Sequence, residues 1–131
     1  MERATGIGGF FFRSRDPDAL GRWYAEHLGV SMPPPAYDDP DWWQDEGPTV
    51  WGVFAAGSTD FAPLDRPWMI SFRVRDLDAM VAQLRSAGTT VEVDPEAYPN
   101  GRFATTADPE GNPIQLWEPN ANAMTRPVGR R

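Results

Sequence analysis

The sequence predicts an α+β fold made of two tandem βαβββ modules, whose strands form an open, curled sheet with a cleft and one helix per module. The main observation is a repeat: residues 12–20 (FRSRDPDAL) return as residues 72–80 (FRVRDLDAM), with six of nine positions identical. Each copy follows an apolar run and precedes a stretch with helical spacing. A repeat of this length cannot close a core alone, so any site is expected between the modules.

Module one is expected to begin with a buried strand over residues 7–13. Asp16 and Pro17 then predict a helix start, because Asp is a favoured N-cap and Pro a favoured first helical residue. Further strands are expected near residues 42–45 and 49–55, whereas the Pro-rich residues 33–40 cannot form a regular central strand. The helix ends at Gly29 and buries a face at i, i+3, i+4 spacing: Leu20, Trp23, Tyr24, His27 and Leu28.

Module two repeats the plan, with a strand over residues 69–75 and Asp76 as the helix cap. Its helix ends at Gly88 and buries Met80, Val81, Leu84 and Ala87. Antiparallel strands are then expected over residues 90–93, 102–107 and 113–117, separated by turns at 98–101 and 108–113. We predict a single domain over residues 1–131, with module one at about 6–56, a linker at 57–67, module two at about 68–119 and a tail at 120–131.

Composition excludes several classes of protein. The net charge of −7 argues against nucleic acid or an anionic membrane as a partner and suits a cationic ligand, although many proteins are acidic for solubility alone. Without cysteine there is no disulfide, thiolate metal site or cysteine nucleophile, and without lysine there is no Schiff base. No secretory signal or membrane-spanning apolar run is apparent, so a cytoplasmic protein is expected.

The strand ending in F-R-x-R-D, the capped helix closing on Leu28-Gly29 and the final segment DPEGNPIQLWEP (residues 108–119) resemble the vicinal oxygen chelate superfamily. That superfamily includes glyoxalase I, extradiol dioxygenases, fosfomycin-resistance enzymes and bleomycin-resistance proteins. The resemblance covers roughly residues 6–119 and implies the glyoxalase/bleomycin-resistance fold. It does not select an activity, because this scaffold carries unrelated functions.

In metal-dependent members, the resemblance implies a divalent ion held by His, Glu or Gln on the first and last strands of each module. The matching positions here are Gly9, Trp51, Met69 and Gln115. A hard or borderline ion needs carboxylate oxygen or imidazole nitrogen, and these four residues offer one neutral amide and one soft thioether. We therefore expect no metal ion and no other cofactor.

Other titratable residues do not restore a reactive centre. His27, the single histidine, is expected on the helix as a half-buried packing residue, so a Ser-His-Asp triad is implausible. Strand alternation points Glu118 to the opposite face from Gln115, and Glu46 and Glu110 are expected to be solvated. A metal-free acid–base enzyme using Glu118 or Glu92 remains open.

Strand alternation predicts which residues line the cleft, while Phe10, Phe12, Ile114 and Leu116 form core on the other face. Aromatic area with a few fixed polar groups suits a small molecule. The sequence does not identify catalytic residues, and ten residues are candidates for ligand binding: Phe11, Arg13, Trp42, Trp43, Trp51, Met69, Ser71, Arg73, Gln115 and Trp117.

Two points about these residues stay open. Arg13 and Arg73 either converge on an anionic ligand or form salt bridges with carboxylates. The acidic segment 38–46, which carries Trp42 and Trp43, either holds a planar cation through charge and cation–π contact or contributes a tryptophan to a dimer interface.

Three functions are compatible with these features. The preferred one is a metal-free homodimer, similar to bleomycin-resistance proteins, that binds a small aromatic or cationic molecule and has neither nucleic acid nor membrane as a partner. The second is a metal-dependent lyase, isomerase or dioxygenase with a non-standard ligand set that includes Gln115. The third is a domain that acts through dimerisation and has a vestigial cleft.

Overall fold

A computed structural model describes residues 1–33 and 40–128. The elements in chain order are α1 (Pro17–Leu28), β1 (Ile70–Arg73), α2 (Leu77–Ser86), β2 (Glu92–Val93), β3 (Gly101–Ala107) and β4 (Pro113–Pro119). The strands form a mixed four-stranded open sheet in the order β1-β4-β3-β2, in which β1 and β4 are parallel and the other neighbours are antiparallel. Neither helix of the described residues is long and apolar enough to cross a membrane.

The sheet comes from module two, and its strands lie within three residues of the predicted bounds. The antiparallel pairing expected for the three strands after α2 is confirmed, whereas β1 pairs with β4 in parallel, from Ile70↔Ile114 to Arg73↔Trp117. The chain returns through α2 before β2, and two antiparallel turns then bring β4 into the direction of β1. The first and last strands of the module therefore meet side by side, which brings their side chains together.

Both predicted helix starts are confirmed. Asp16 Oδ1 accepts a hydrogen bond from the Ala19 amide at 3.2 Å, and Asp76 Oδ1 accepts one from the Ala79 amide at 3.0 Å. Gly29 ends α1 in the left-handed region with φ 71°, where a side chain would be strained. The repeat therefore gives both helices the same N-cap, whereas α2 ends at Ser86 with Ala87 as its C-cap, before the predicted Gly88.

The core lies between the helices and one face of the sheet. Leu77, Leu84, Ile114 and Leu116 are fully buried there, which confirms the predicted core role of the two β4 residues. Leu77 is not among the residues predicted to be buried on α2. It is the first residue of that helix, and the equivalent position in the other copy of the repeat is Pro17. The remaining members of the core are Leu20, Tyr24, Val81, Val91 and Ala104.

The strands predicted for module one at residues 7–13, 42–45 and 49–55 are wrong for this single chain, which forms no strand there. A strand needs a neighbour for its backbone N–H and C=O groups, and the described residues supply none. Side chains still alternate, since Phe10 and Phe12 pack on Trp68 at 5.0 and 5.4 Å, while Phe11 between them is 88% exposed. The predicted core role of Phe10 and Phe12 is wrong, because they remain 43% and 37% exposed. The predictions for residues 34–39 lie outside the described residues.

Candidate functional site

The strands of module two bring the predicted cleft residues into two rows across one face of the sheet. Ser71 on β1 lies opposite Gln115 on β4, and Gln115 lies opposite Thr105 on β3. Two residues further along β1, on the same face of the sheet, Arg73 lies opposite Trp117, and Trp117 lies opposite Phe103. The face therefore has a polar row beside an aromatic row.

The aromatic row is formed by Trp117, Phe103 and Tyr98. The rings of Trp117 and Phe103 are stacked at 6.1 Å with 6° between their planes, and Tyr98 meets Phe103 edge-on at 5.8 Å. The Trp117 indole N–H donates to the Asn100 carbonyl at 2.9 Å. Trp117 is 5% exposed, whereas Phe103 is half-buried, so Phe103 presents the accessible aromatic surface.

Phe103 and Tyr98 are absent from the residues predicted from sequence. A hairpin counted outward from the turn at residues 108–112 pairs Phe103 with Trp117, so the turn signal could have identified Phe103. Tyr98 lies in the loop before β3, and no periodic pattern marks its position.

The polar row is ordered by one hydrogen bond. Ser71 Oγ donates to Gln115 Oε1 at 2.8 Å, which leaves the Gln115 amide nitrogen as the donor of the pair. A fixed donor beside an aromatic surface can orient a small molecule that stacks there.

Carboxylates surround one end of the two rows. A concavity of about 630 Å³ is lined by Asp60, Glu92, Asp94, Tyr98 and Phe103 among others, a size typical of small-molecule sites. Asp94 accepts hydrogen bonds from the Glu96 amide at 3.0 Å and from the Tyr98 hydroxyl at 2.7 Å. The Glu96 amide bond, followed by the Tyr98 hydroxyl bond, lowers the pKa of Asp94. The hydrogen bond between the Tyr98 hydroxyl and Asp94 also raises the pKa of Tyr98. This end of the face is therefore anionic at neutral pH.

Arg73 contacts the protein backbone. Its guanidinium donates to the carbonyls of Pro48 and Asp45, the latter at 2.7 Å, and within residues 1–33 and 40–128 it forms no salt bridge with a carboxylate. Arg13 is exposed and lies on the segment that precedes α1. The two arginines related by the repeat therefore have unlike surroundings.

The other predicted ligand-binding residues line a wide, open groove that Phe103, Gln115 and Trp117 also line. Most of these side chains are exposed to solvent. Trp43 is 84% exposed and Trp51 is 81% exposed. Trp42 is also exposed, and Met69 is half-buried just before β1. Neither Phe11 nor Trp51 joins the aromatic contacts of the row.

The donor set at the four metal-ligand positions does not fit a metal ion. Of the four, Gly9 and Trp51 have no ligating side chain, and Gln115 Oε1 already accepts from Ser71. Residues 1–33 and 40–128 contain no group of three or more His, Cys, Asp or Glu that could hold a metal ion.

Two other candidates for reactive groups lie on the helix side of the sheet. The ring of His27 lies 5.6 Å from Trp23 on α1, in line with its predicted packing role. Glu118 Oε1 accepts from the Leu77 amide at 2.8 Å, at the start of α2. Its carboxylate therefore stabilises a helix start, where negative charge is favourable.

The turn at residues 108–112 links the two modules. Buried Asp108 accepts hydrogen bonds from the Tyr24 hydroxyl and the Asn112 side-chain amide, each at 2.7 Å. Burial, followed by the bond to Asp108, raises the pKa of Tyr24 well above its ordinary value. The Arg66 guanidinium, from the linker, donates to the Glu110 carbonyl at 3.0 Å and to the Asn112 side chain.

The prediction that Glu110 is simply solvated is wrong. Glu110 Oε2 accepts from the Ser14 hydroxyl at 2.6 Å, and Oε1 accepts from the Arg15 amide at 3.0 Å. These bonds, the Ser14 bond above all, lower the pKa of Glu110. A carboxylate of module two therefore holds the chain just before α1 of module one.

Glu110→Gln is expected to reduce stability at neutral pH but much less in acid. Because the pKa of Glu110 is lower in the folded state, its contribution is present above its unfolded value of about 4.3 and is lost as pH falls through the folded value. Urea unfolding at about pH 7 and about pH 3 measures the effect as the difference in free energy of unfolding between wild type and variant. A gap that is equally large at both pH values would contradict this account.

Similar proteins place this fold in a known class. A structure of an antibiotic-binding protein from Streptomyces sp. CB03234 matches with a TM-score of 0.58 and 26% identity, over 92% of this chain and 100% of that one. A glyoxalase/bleomycin resistance protein/dioxygenase domain from Frankia sp. EAN1pec matches with a TM-score of 0.56 and 20% identity, over 90% of this chain and 100% of that one. No curated protein matches the chain.

These likenesses define an α+β protein with the glyoxalase/bleomycin-resistance fold. The model of the Glyoxalase-like domain family matches residues 9–117, which is most of the sequence. The chain belongs to this family and hence to the vicinal oxygen chelate superfamily, as the sequence motifs predict.

Proposed function

We propose that this protein binds a small aromatic molecule, cationic or neutral, on the cleft face of its sheet and does so without a metal ion. The observation that carries the proposal is the row of Tyr98, Phe103 and Trp117 beside the Ser71–Gln115 pair. Stacking area supplies affinity for a flat ring, and the fixed amide supplies orientation. The likeness to an antibiotic-binding protein favours binding over catalysis.

Charge favours a cation over an anion as the ligand. The carboxylates of Asp60, Glu92 and Asp94 line the concavity at the end of the aromatic row. The chain as a whole carries a net charge of −7, which adds a long-range attraction for cations. With both terminal nitrogens of Arg73 bonded to backbone carbonyls, its guanidinium has less to offer an anion.

The test uses three probes of similar shape and different charge: proflavine (a planar cation), 9-anthracenemethanol (neutral) and 9-anthracenecarboxylate (an anion). We expect saturable quenching of tryptophan fluorescence with Kd below about 100 μM for the first two and weakest binding for the anion. Metal analysis of the purified protein and titration with Zn²⁺, Mn²⁺, Ni²⁺ and Fe²⁺ accompany it. The proposal fails if no probe binds saturably, and stoichiometric metal binding would support the enzymatic alternative.

We also propose that the protein is a homodimer. Among the described residues, 7–13 and 49–55 have no strand partner, and they expose Phe11, Trp51 and Val53. The outer edge of β1 is likewise unpaired within this part of the chain. A second copy carries the same open edge and the same exposed segments, so a symmetric contact would pair strands and bury apolar surface on both chains at once.

Val53→Asp is expected to convert the dimer to a monomer, because it would place a charge in the apolar contact. Sedimentation equilibrium should give twice the chain mass of 14.6 kDa for wild type and one chain mass for the variant. Val128→Asp is the matched control, since Val128 is 99% exposed on the tail. A monomeric wild type, or equal effects of the two substitutions, would contradict the proposal.

A further inference from the structure

The segment at residues 41–48, here called the tryptophan strap, carries Trp42 and Trp43 and lines the same groove as Phe103. It has no helix or strand of its own, so its position depends on side chains that reach it. Three arginines contact the strap, one through hydrogen bonds to its backbone and two through long, exposed ion pairs.

Arg73 makes the strongest of these contacts. Its two terminal nitrogens donate to two strap carbonyls, those of Asp45 and Pro48. The guanidinium also lies directly on the strap backbone, because a Cβ added at Gly47 would be 2.8 Å from Arg73 Nε and 2.9 Å from Cζ. A planar fork of donors suits two carbonyls at fixed spacing, which a single ammonium group cannot satisfy together.

The other arginines contribute little. Arg75 lies 3.9 Å from the Asp45 carboxylate, and Arg126 lies 3.9 Å from the Glu46 carboxylate. All four side chains are more than three-quarters exposed, and such exposed pairs are weak and screened by salt. Among the described contacts, only Arg73 joins the strap to a strand of the sheet.

We propose that Arg73 is a positioning residue: it holds the tryptophan strap against the sheet and thereby places Trp42 and Trp43 over the cleft. Arg73 is anchored on β1 directly beside Trp117 of the aromatic row, so it ties the strap to the face that would bind the ligand. Arg73 then affects ligand affinity through the strap and not by charge. This consequence for affinity rests on the proposed binding function, whereas the placement of the strap does not.

Two substitutions disturb the contact in different ways. Arg73→Lys keeps the positive charge and loses the fork of donors, whereas Gly47→Ala keeps Arg73 and forces its guanidinium to shift away from the Gly47 backbone. Gly57→Ala is the matched control, because a Cβ at Gly57 meets nothing within 4 Å. Gly47→Ala leaves the sheet residues unchanged, so it remains informative if Arg73→Lys folds poorly.

The first measurement is chymotrypsin cleavage after Trp42 and Trp43 in the ligand-free protein, with the sites identified by mass spectrometry. Release of the strap should make cleavage there about tenfold faster in both variants and leave Gly57→Ala at the wild-type rate. Cleavage after Phe103 on β3 should stay unchanged and reports global unfolding. If Gly47→Ala is cleaved at the rate of Gly57→Ala, the proposal is overturned.

The second measurement is the affinity of the same variants for proflavine and for 9-anthracenecarboxylate. Both variants should weaken both probes by a similar factor, because the strap is lost for either ligand. A loss confined to Arg73→Lys and to the anionic probe would instead show that the guanidinium binds the anion directly through its two donors, and it would overturn the positioning role. If wild type binds neither probe, the proposed function fails, and the cleavage rates still decide whether Arg73 holds the strap.

Discussion

Replacing Asp108 by alanine is expected to lower the free energy of unfolding by about 3 kcal/mol, because several buried donors lose one acceptor together. The Asp108 carboxylate is 5% exposed. It accepts from the Tyr24 hydroxyl, the Asn112 side-chain amide, and the backbone amides of Glu110 and Asn112. Alanine offers no acceptor, and the buried site limits compensation by water.

Asp94→Ala is the matched control for this prediction. Asp94 also accepts from a tyrosine hydroxyl at 2.7 Å and from one backbone amide, but on the exposed surface, where water replaces the lost bonds. Urea unfolding should show a much larger loss for Asp108→Ala, with Tyr24→Phe in between because it removes one donor only. Equal losses for the two aspartates would mean that the buried network does not stabilise the junction between the modules.

The sequence predicts module two well because its signals are local. The Asp76 cap, the β4 core positions Ile114 and Leu116, and the turn at residues 108–112 each depend on residues close in the chain, and the structure confirms them. The capping pattern transfers to Asp16 for the same reason. The repeat therefore identifies the two helix starts, and the turn residues identify the hairpin, without any knowledge of the remaining contacts.

Module one illustrates what local signals leave undetermined. Residues 7–13 alternate as a strand does, yet a strand also needs a neighbour, and in the described chain none is present. Strand alternation predicts the face of β1 on which Arg73 lies, but its partners lie on a segment without periodicity whose path no pattern predicts. Glu110 looked like an ordinary turn residue because its partners, Ser14 and the Arg15 amide, lie in the other module.

Phe103→Ala is expected to weaken proflavine binding about tenfold, which corresponds to about 1.4 kcal/mol. Phe103 is the half-buried member of the aromatic row, so it offers the ring face on which a planar ligand can stack. Its loss also removes the stacked neighbour that covers Trp117. Phe103→Tyr retains the ring and should bind proflavine close to the wild-type level, which separates stacking from backbone disturbance at β3.

Trp23→Ala serves as the control for an aromatic residue removed elsewhere. Trp23 packs on Tyr24 and His27 along α1, on the opposite side of the sheet from the aromatic row. Its replacement should reduce thermal stability and change proflavine affinity by less than about twofold, since the two sites share no partner. If Trp23→Ala weakens binding as much as Phe103→Ala does, affinity follows overall stability and the ligand does not stack on the cleft face. A loss specific to Phe103 would place the ligand on that face, where Gln115 and the carboxylates can orient it.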